Sequence, residues 1–195
     1  IYREVDTRKH LPIFENSVME VWSIPLRHRV PAAGYLFREK RPELNVHKEA
    51  IERYGLGIAQ ITAAKRGEDI SGPNGYTIPN GELTYLPYAP RSYAYCSDTM
   101  VSGKVADIVH GVNLLYHEAT FADAERALAR ETGHSTALQA AKTAAKAQAG
   151  RLLIGHFSSR YKDAAPLVEE ARTLFPATEE AKEMHTYEIP AVKHQ

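Results

Sequence analysis

The stretch VNLLYHEAT (residues 112–120), followed after an alanine-rich segment by RLLIGHFSS (residues 151–159), decides the fold class. Each is a short apolar run of strand length that gives way to polar residues at its C-terminal end. The residues between them are rich in alanine, a strong helix former, with one interruption at 132–135. A strand, a long helical crossover and a second strand predict parallel pairing and an α/β layer architecture.

Outside this stretch, the run SYAYCSDT (residues 92–99) has the same strand-like character. Residues 11–27 predict a β-hairpin and residues 32–37 a further strand. Residues 162–174 carry apolar side chains at helical spacing and end at a Phe-Pro stop signal. These elements extend the predicted α/β core on both sides of the deciding stretch.

Residues 41–90 differ in character, because five prolines and six glycines interrupt regular structure there. We expect at most one short helix, near residues 46–54. The predicted organisation is one domain, in which residues 1–40 and 91–195 form the core and residues 41–90 form an arm-like insertion. A connection of that length is usually functional or disordered.

Composition narrows the class of protein. The 24 Lys and Arg residues balance 24 Asp and Glu residues, so a polyanion partner must be held by a local patch or a metal ion. No apolar run approaches 18 residues and no basic-then-apolar leader is present, so we expect neither a membrane span nor a secretory signal. The single cysteine excludes a disulfide framework. The chain starts at Ile1, which suggests a start inside a longer protein.

Four predicted strands end in residues that can bind metals or transfer protons. They are His28, Asp98, His117 with Glu118, and His156. Ligands of open α/β sheets bind at the carboxyl ends of strands, so these side chains are expected along one edge of the sheet. Imidazole and carboxylate groups suit zinc, and also manganese or iron, in a hydrolytic site. The alternative is that each is an ordinary polar residue at a strand end.

Five segments carry a family resemblance. In order and approximate spacing, they resemble the later motifs of short-form ribonuclease Z, or tRNase Z, an endonuclease branch of the metallo-β-lactamase fold. The segments are LRHRVPAAGYLFREK (26–40), YAYCSDT (93–99), HEATF (117–121), HST (134–136) and GHFSSRY (155–161). The implied fold is the C-terminal portion of a metallo-β-lactamase αββα sandwich with a protruding arm insertion.

The resemblance implies roles for individual residues. His28 resembles a ligand of the first zinc ion, His156 a ligand of the second, and Asp98 the carboxylate that bridges both. His134 is similar to the histidine that positions the scissile phosphate or protonates the leaving 3′ oxygen. Glu118 resembles the partner that orients this imidazole.

Substrate-binding roles are implied for five further residues. Ser135 and Thr136 belong to the HST motif, and Arg160 lies in GHFSSRY, where it either contacts phosphate or pairs with an acidic neighbour. The insertion resembles the arm that grips tRNA, with Lys65 and Arg66 as its candidate contacts. Residues 41–86 contain five basic and six acidic residues, however, so Lys65 and Arg66 could equally form an ordinary charged turn.

One motif of the family is absent. The pattern H-x-H-x-D-H does not occur, since no two histidines lie two positions apart and no Asp-His pair exists. We therefore expect a chain whose N-terminal part is missing. With Asp98 counted for both metals, each zinc ion would have two ligands here, whereas a catalytic zinc normally has three. The chain alone is expected to be inactive and to bind metal weakly.

The function implied for the full-length protein is removal of 3′ trailers from precursor tRNA by phosphodiester hydrolysis at a dinuclear zinc site, with two zinc ions per subunit. The resemblance also implies a homodimer in the cytoplasm, without membrane association. Two alternatives stay open: another phosphodiesterase or hydrolase on the metallo-β-lactamase fold, or a non-catalytic truncated homologue.

Overall fold

The structure, a computed structural model, describes residues 4–72 and 75–192. The chain divides into two compact units. The core unit takes the residues up to Glu39 and then Arg91–Ile189. The insert unit takes Lys40–Pro90 and the residues from Pro190 onward.

The described residues form strands and helices that alternate along the second half of the chain. The strands are β1 (Pro12–Glu15), β2 (Met19–Pro25), β3 (Ala33–Glu39), β4 (Asn45–Val46), β5 (Ile70–Ser71), β6 (Thr77–Ile78), β7 (Thr84–Tyr85), β8 (Ser92–Cys96), β9 (Leu114–Glu118), β10 (Arg151–Gly155) and β11 (Thr178–Glu180). The helices are α1 (Lys48–Tyr54), α2 (Ile58–Lys65), α3 (Asn80–Leu83), α4 (Gly103–Ile108), α5 (Arg126–Thr132), α6 (Ala137–Ala147) and α7 (Ala165–Arg172).

The core unit is built on one mixed sheet with strand order β1-β2-β3-β8-β9-β10-β11. Strands β1, β2, β3 and β8 pair antiparallel, and β8, β9, β10 and β11 pair parallel. The pairs Tyr95↔Tyr116 and Cys96↔His117 align the ends of β8 and β9, and Gly155↔Glu118 aligns the ends of β9 and β10. The predicted α/β class and the parallel pairing are confirmed, and the carboxyl ends of three parallel strands lie at one edge.

One face of the sheet packs against helices α4, α6 and α7. It contributes Leu36, Ala94, Leu115, Leu152 and Ile154 to the main core, all fully buried. Helix α6 presents mostly alanines to this core. Small side chains let the helix approach the sheet closely, so the alanine-rich sequence satisfies both helix propensity and packing.

The opposite face of the sheet is aromatic. Side chains alternate along a strand, so the neighbours of the helix-facing residues point the other way. The ring pairs Phe37–Tyr93 and Tyr95–Tyr116 stack there, with centroids 5.8 Å and 4.6 Å apart. Burial raises the pKa of Tyr93 to about 12, while Tyr95 is 37% exposed. This face of the sheet is therefore only partly shielded from solvent.

The insert unit is more regular than the sequence predicted. The expectation of one short helix was wrong, because two further helices, α2 and α3, and four short strands form there among the described residues. Gly55 ends α1 in the left-handed region at φ 61°, and Gly57 is the N-cap of α2. Glycine thus delimits two consecutive helices here instead of abolishing them. Their apolar side chains form a second small core around Leu83.

In the described part of the chain, none of the helices combines the length and the apolar character that a membrane crossing requires.

Candidate active site

The strand ends bring the predicted chemistry-bearing residues together. His28 follows β2, Asp98 follows β8, Glu118 ends β9 and His156 follows β10. His134 joins them from the turn between α5 and α6. Ligand atoms of His28, Asp98 and His134 lie within 4.8 Å of one another, as do those of Glu118, His134 and His156. The five residues therefore form one cluster.

Glu118 is the buried centre of this cluster. Its side chain has no exposed surface. Its carboxylate accepts hydrogen bonds from four donors, namely the Thr99 amide, the Ser135 amide at 3.1 Å, the Thr120 hydroxyl at 2.6 Å and His134 Nδ1 at 3.1 Å. A buried carboxylate is stable only when it is hydrogen-bonded in this way. With its lone pairs engaged, Glu118 is a poor metal ligand despite its position.

His134 is oriented by this carboxylate. Because a carboxylate only accepts, Nδ1 carries the proton and Nε2 is left for another partner. The imidazole is 17% exposed, and its ring centroid lies 5.0 Å from that of His28 and 5.4 Å from that of His156. Glu118 and His134 thus form a preorganised carboxylate–imidazole dyad that faces the other two histidines.

His28 and His156 are each held through Nδ1. His28 Nδ1 lies 2.9 Å from the carbonyl oxygen of Gly133, which can only accept, so Nδ1 donates. His156 Nδ1 lies 3.0 Å from the Thr120 hydroxyl. Since that hydroxyl gives its one proton to Glu118 at 2.6 Å, it accepts from His156. Both imidazoles therefore present an unprotonated Nε2, as metal-ligating histidines do.

The donor set fits a metal ion. His156 Nε2 lies 3.3 Å from Asp98 Oδ1, and the two side chains are 41% and 49% exposed. In the tautomer set by Thr120, two electron-pair donors face each other at this distance, an arrangement that a shared cation would stabilise. Imidazole and carboxylate without thiolate suit zinc.

Backbone strain marks the same two residues. Asp98 has φ 55° and His156 has φ 58°, both in the left-handed region that residues with a Cβ seldom adopt. Among the described residues, only Gln148 and Met184 join them outside glycine. Such strain persists where the surrounding structure enforces it and is common at functional sites.

His117 lies apart from this cluster. It is fully buried, its Nδ1 lies 2.7 Å from the Glu118 carbonyl oxygen, and its Nε2 has no hydrogen-bond partner in the described structure. Burial lowers the pKa of this imidazole below its usual range. His117 thus belongs to the wall beneath Glu118.

The side chains of Ser135 and Thr136 are buried and bonded within the protein. The Ser135 hydroxyl donates to the Thr99 carbonyl at 2.6 Å. Thr136 is the N-cap of α6, accepting from the Gln139 amide at 3.2 Å and donating to Asp123 at 2.9 Å. Contact of these two side chains with substrate stays a prediction, and their observed bonds hold the loop that carries His134.

Arg160 pairs with an acidic neighbour. Its guanidinium binds the Glu125 carboxylate and lies over the Phe121 ring, 5.1 Å from the centroid. Lys65 and Arg66 lie at the C-terminal end of α2 in the insert unit. Phosphate binding by these three residues also stays a prediction.

Thr120 and Gly133 are site residues that the sequence did not single out. Thr120 links Glu118 to His156, and its only signal was its place in HEATF. Gly133 has φ 86°, and a Cβ there would lie 3.1 Å from His28 Nδ1. The interrupted helix at 132–135 indicated a turn there, but not that the turn carries the hydrogen-bond acceptor of His28.

Comparison with known proteins shows which proteins the chain is similar to in sequence. No protein-family model matches the chain. The chain is 48% identical to the ribonuclease Z of Parabacteroides distasonis over 89% of its own length and 57% of that protein's. The ribonucleases Z of Porphyromonas gingivalis and Phocaeicola vulgatus are 48% and 40% identical, covering 92% and 99% of this chain. The chain covers 59% and 62% of these two proteins, so it spans about three-fifths of the curated relatives it matches.

Two solved structures share the fold. The metallo-β-lactamase fold protein YhfI from Bacillus subtilis aligns with TM-score 0.56 at 17% identity, over 91% of this chain and 52% of that one. The human short-form tRNase Z aligns with TM-score 0.50 at 23% identity, over 92% and 46%. At such identities the likeness shows the fold alone, and it confirms the predicted metallo-β-lactamase fold. The sequence identities, which extend over most of the chain, show that it is similar to curated ribonucleases Z.

Proposed function

We propose that this chain carries the catalytic dyad and part of the metal site of an endoribonuclease that removes 3′ trailers from precursor tRNA. The observation that carries the proposal is the convergence of the Glu118–His134 dyad with His28, Asp98 and His156 at one edge of the sheet. The relatives named ribonuclease Z support the substrate class.

His28, Asp98 and His156 would hold the two zinc ions of the proposed site. When bound, these ions would activate a water molecule and neutralise negative charge on the phosphate oxygens. His134, fixed by Glu118, presents Nε2 to contact a phosphate oxygen or to give a proton to the leaving 3′ oxygen. Gly133 and Thr120 hold His28 and His156 in the tautomer that a metal ion requires.

The proposal requires further metal ligands from outside these 195 residues, because H-x-H-x-D-H does not occur in them. The chain by itself is accordingly proposed to be inactive. We further propose, as the resemblance to ribonuclease Z implies, a homodimer that acts in the cytoplasm. A monomeric mass in solution for the protein made from its complete reading frame would reject the homodimer.

The test uses the protein made from the complete reading frame, a labelled precursor tRNA and an aryl phosphodiester. We expect cleavage at the 3′ end of the acceptor stem that a chelator abolishes. His156→Ala should lose it, whereas His185→Ala, an exposed histidine of the core unit, should retain it. Turnover of the small diester alone would instead favour a general phosphodiesterase, and no turnover of either substrate would favour a non-catalytic homologue.

A further inference from the structure

A cavity of about 270 Å³ adjoins the Glu118–His134 dyad, outside the cluster of His28, Asp98 and His156. His134 forms part of its wall, so the cavity opens directly beside the imidazole. The rest of the wall includes three arginines and two apolar side chains, namely Arg27, Arg126, Arg130, Met100 and Val101. No acidic residue lines it among the described residues. We call it the arginine pocket.

The arginines come from two elements that the fold holds in place. Arg126 and Arg130 are four residues apart on α5, so they share one face of that helix. The Arg27 amide donates to Thr99 Oγ1 at 3.1 Å, and its carbonyl accepts from the Met100 amide at 2.8 Å. Arg27 is therefore anchored to the loop after β8, the loop that also carries Asp98.

In the part of the chain that the structure describes, two of the three guanidinium groups have no anionic partner. Arg126 binds the Asp123 carboxylate at 2.6 Å, which neutralises it. Within residues 4–72 and 75–192, Arg27 and Arg130 make no ion pair, and both are exposed. A guanidinium offers five N–H donors in a planar fork that matches phosphate oxygens. The pocket thus presents unpaired cations to any anion that reaches His134.

The remaining wall consists of Met100, Val101 and Gln139, so it is apolar apart from one amide. Val101 is 39% exposed and Met100 is partly exposed, and both lie beside the arginines. A ligand that satisfies this wall has an anionic part for the guanidinium groups and a flat or apolar part for these side chains. The cavity is slightly smaller than the roughly 300–1,000 Å³ of typical ligand pockets. A cavity of this volume suits a ligand no larger than about one nucleotide and excludes a duplex.

We propose that the arginine pocket binds a single unpaired nucleotide of the RNA substrate, the neighbour of the phosphate that His134 contacts. Its phosphate lies against Arg27 and Arg130, and its ribose or base lies against Met100 and Val101. This inference rests on the proposed function, because it gives that site a second contact with the same RNA strand. A free phosphate shares the anionic chemistry but not the apolar contact.

The test is RNA binding by the 195-residue chain without metal. A fluorescein-labelled single-stranded tetranucleotide is titrated with protein and followed by anisotropy, while NMR monitors the arginine side-chain Nε–Hε signals. We expect the Arg27 and Arg130 signals to shift with RNA and to shift less with inorganic phosphate. An equal response to phosphate, or binding that leaves both signals unchanged, would overturn the proposal, as would a lack of RNA binding.

A charge-matched pair of variants isolates the pocket. Arg27→Gln with Arg130→Gln should raise the Kd about tenfold or more. It should also reduce the dependence of log Kd on log salt by about 0.7, the contribution of the single phosphate that both arginines contact on a single strand. Lys48→Gln with Lys104→Gln removes two exposed charges elsewhere and should change neither quantity. An equal loss of RNA affinity in both double variants would show that the effect comes from net charge alone, and it would overturn the inference.

This inference and the proposed function fail separately. A complete protein that binds RNA through Arg27 and Arg130 but cuts no precursor tRNA would refute the proposed function and leave the pocket standing. A complete protein that cuts precursor tRNA with an unchanged KM in the arginine variant would refute the pocket alone.

Discussion

The two carboxylates of the site differ sharply in surroundings. Glu118 has no exposed surface and accepts from four donors, whereas Asp98 is 49% exposed and, among the described residues, has its one ion-pair contact with His156, at 3.3 Å. The hydrogen-bonding capacity of the Glu118 carboxylate is therefore satisfied within the described structure. Asp98 has a left-handed backbone conformation and lies beside His156 Nε2, which carries no proton that it could donate to the carboxylate. The described structure therefore satisfies the hydrogen bonding of Glu118 internally and leaves most of the Asp98 carboxylate open to a further partner.

The largest expected effect is on the Glu118 side. Glu118→Gln replaces an acceptor of four hydrogen bonds with a group that accepts at one atom only, and buried donors lose their partners. We expect a loss of about 3–5 kcal/mol in the free energy of unfolding, the usual cost of breaking a buried charged network. Asp98→Asn should change it by less than about 0.5 kcal/mol. Urea denaturation measures the free energy of unfolding of both variants. Similar losses in Glu118→Gln and Asp98→Asn would contradict the difference between the two carboxylates.

Thr120 joins the two sides, so its substitution should affect both. Thr120→Val keeps the side-chain shape but removes the hydroxyl, which leaves Glu118 short of a donor and His156 Nδ1 unpaired. We expect a loss of about 1–3 kcal/mol in the free energy of unfolding. NMR of the imidazole nitrogens should show His156 leaving the Nδ1–H tautomer.

Thr120→Ser is the control, because it keeps the hydroxyl. It should retain the tautomer and most of the stability. A wild-type His156 that already carries its proton on Nε2 would contradict the hydrogen-bond assignment at Thr120.

The buried imidazole of His117, next to Glu118 in the sequence, should make the free energy of unfolding depend on pH under acidic conditions. Burial lowers the pKa of His117, so the unfolded chain takes up a proton near pH 6.5 while the folded chain does not. The stability is full above about pH 6.5 and falls as the pH drops towards the lowered folded pKa. The slope reaches about 1.4 kcal/mol per pH unit at most.

His117→Leu removes this titrating group and should flatten the dependence. Unfolding free energies at several values between pH 5 and 8 compare it with the wild-type chain. Equal slopes in the two proteins would show that His117 is not the source of the acid sensitivity.

The smallest expected effect concerns strain on the exposed side. At Asp98, φ 55° favours glycine, which has no Cβ to clash. We expect Asp98→Gly to be more stable than Asp98→Ala by about 1 kcal/mol, the reverse of their order in a helix. Thermal or urea unfolding gives the comparison. Alanine equal to or above glycine would mean that the left-handed backbone is not enforced there.

The sequence predicted the core but not its internal bonding. Parallel strands read from VNLLYHEAT and RLLIGHFSS place Glu118 and His156 at one edge, because periodicity and crossover length fix that geometry. The four donors around Glu118 come from positions 99, 120, 134 and 135, and no local pattern shows which loops will meet. The insert helices were missed because glycine was taken only as a breaker.

The arginine pocket, too, could not be predicted from local sequence patterns. Arg27 and Arg130 are 103 residues apart (130 − 27) and lie in segments of ordinary composition. Only the packing of the loop after β2 against the loop after β8, with α5 nearby, brings these charges together.

Zinc titration of the 195-residue chain by calorimetry tests the central claim most directly. Two histidines and one shared carboxylate give each metal two ligands, one fewer than a catalytic zinc normally has. The account predicts weak binding that Asp98→Asn and His156→Ala weaken further and that His185→Ala leaves unchanged. Tight stoichiometric binding of two zinc ions, or binding indifferent to Asp98 and His156, would contradict it.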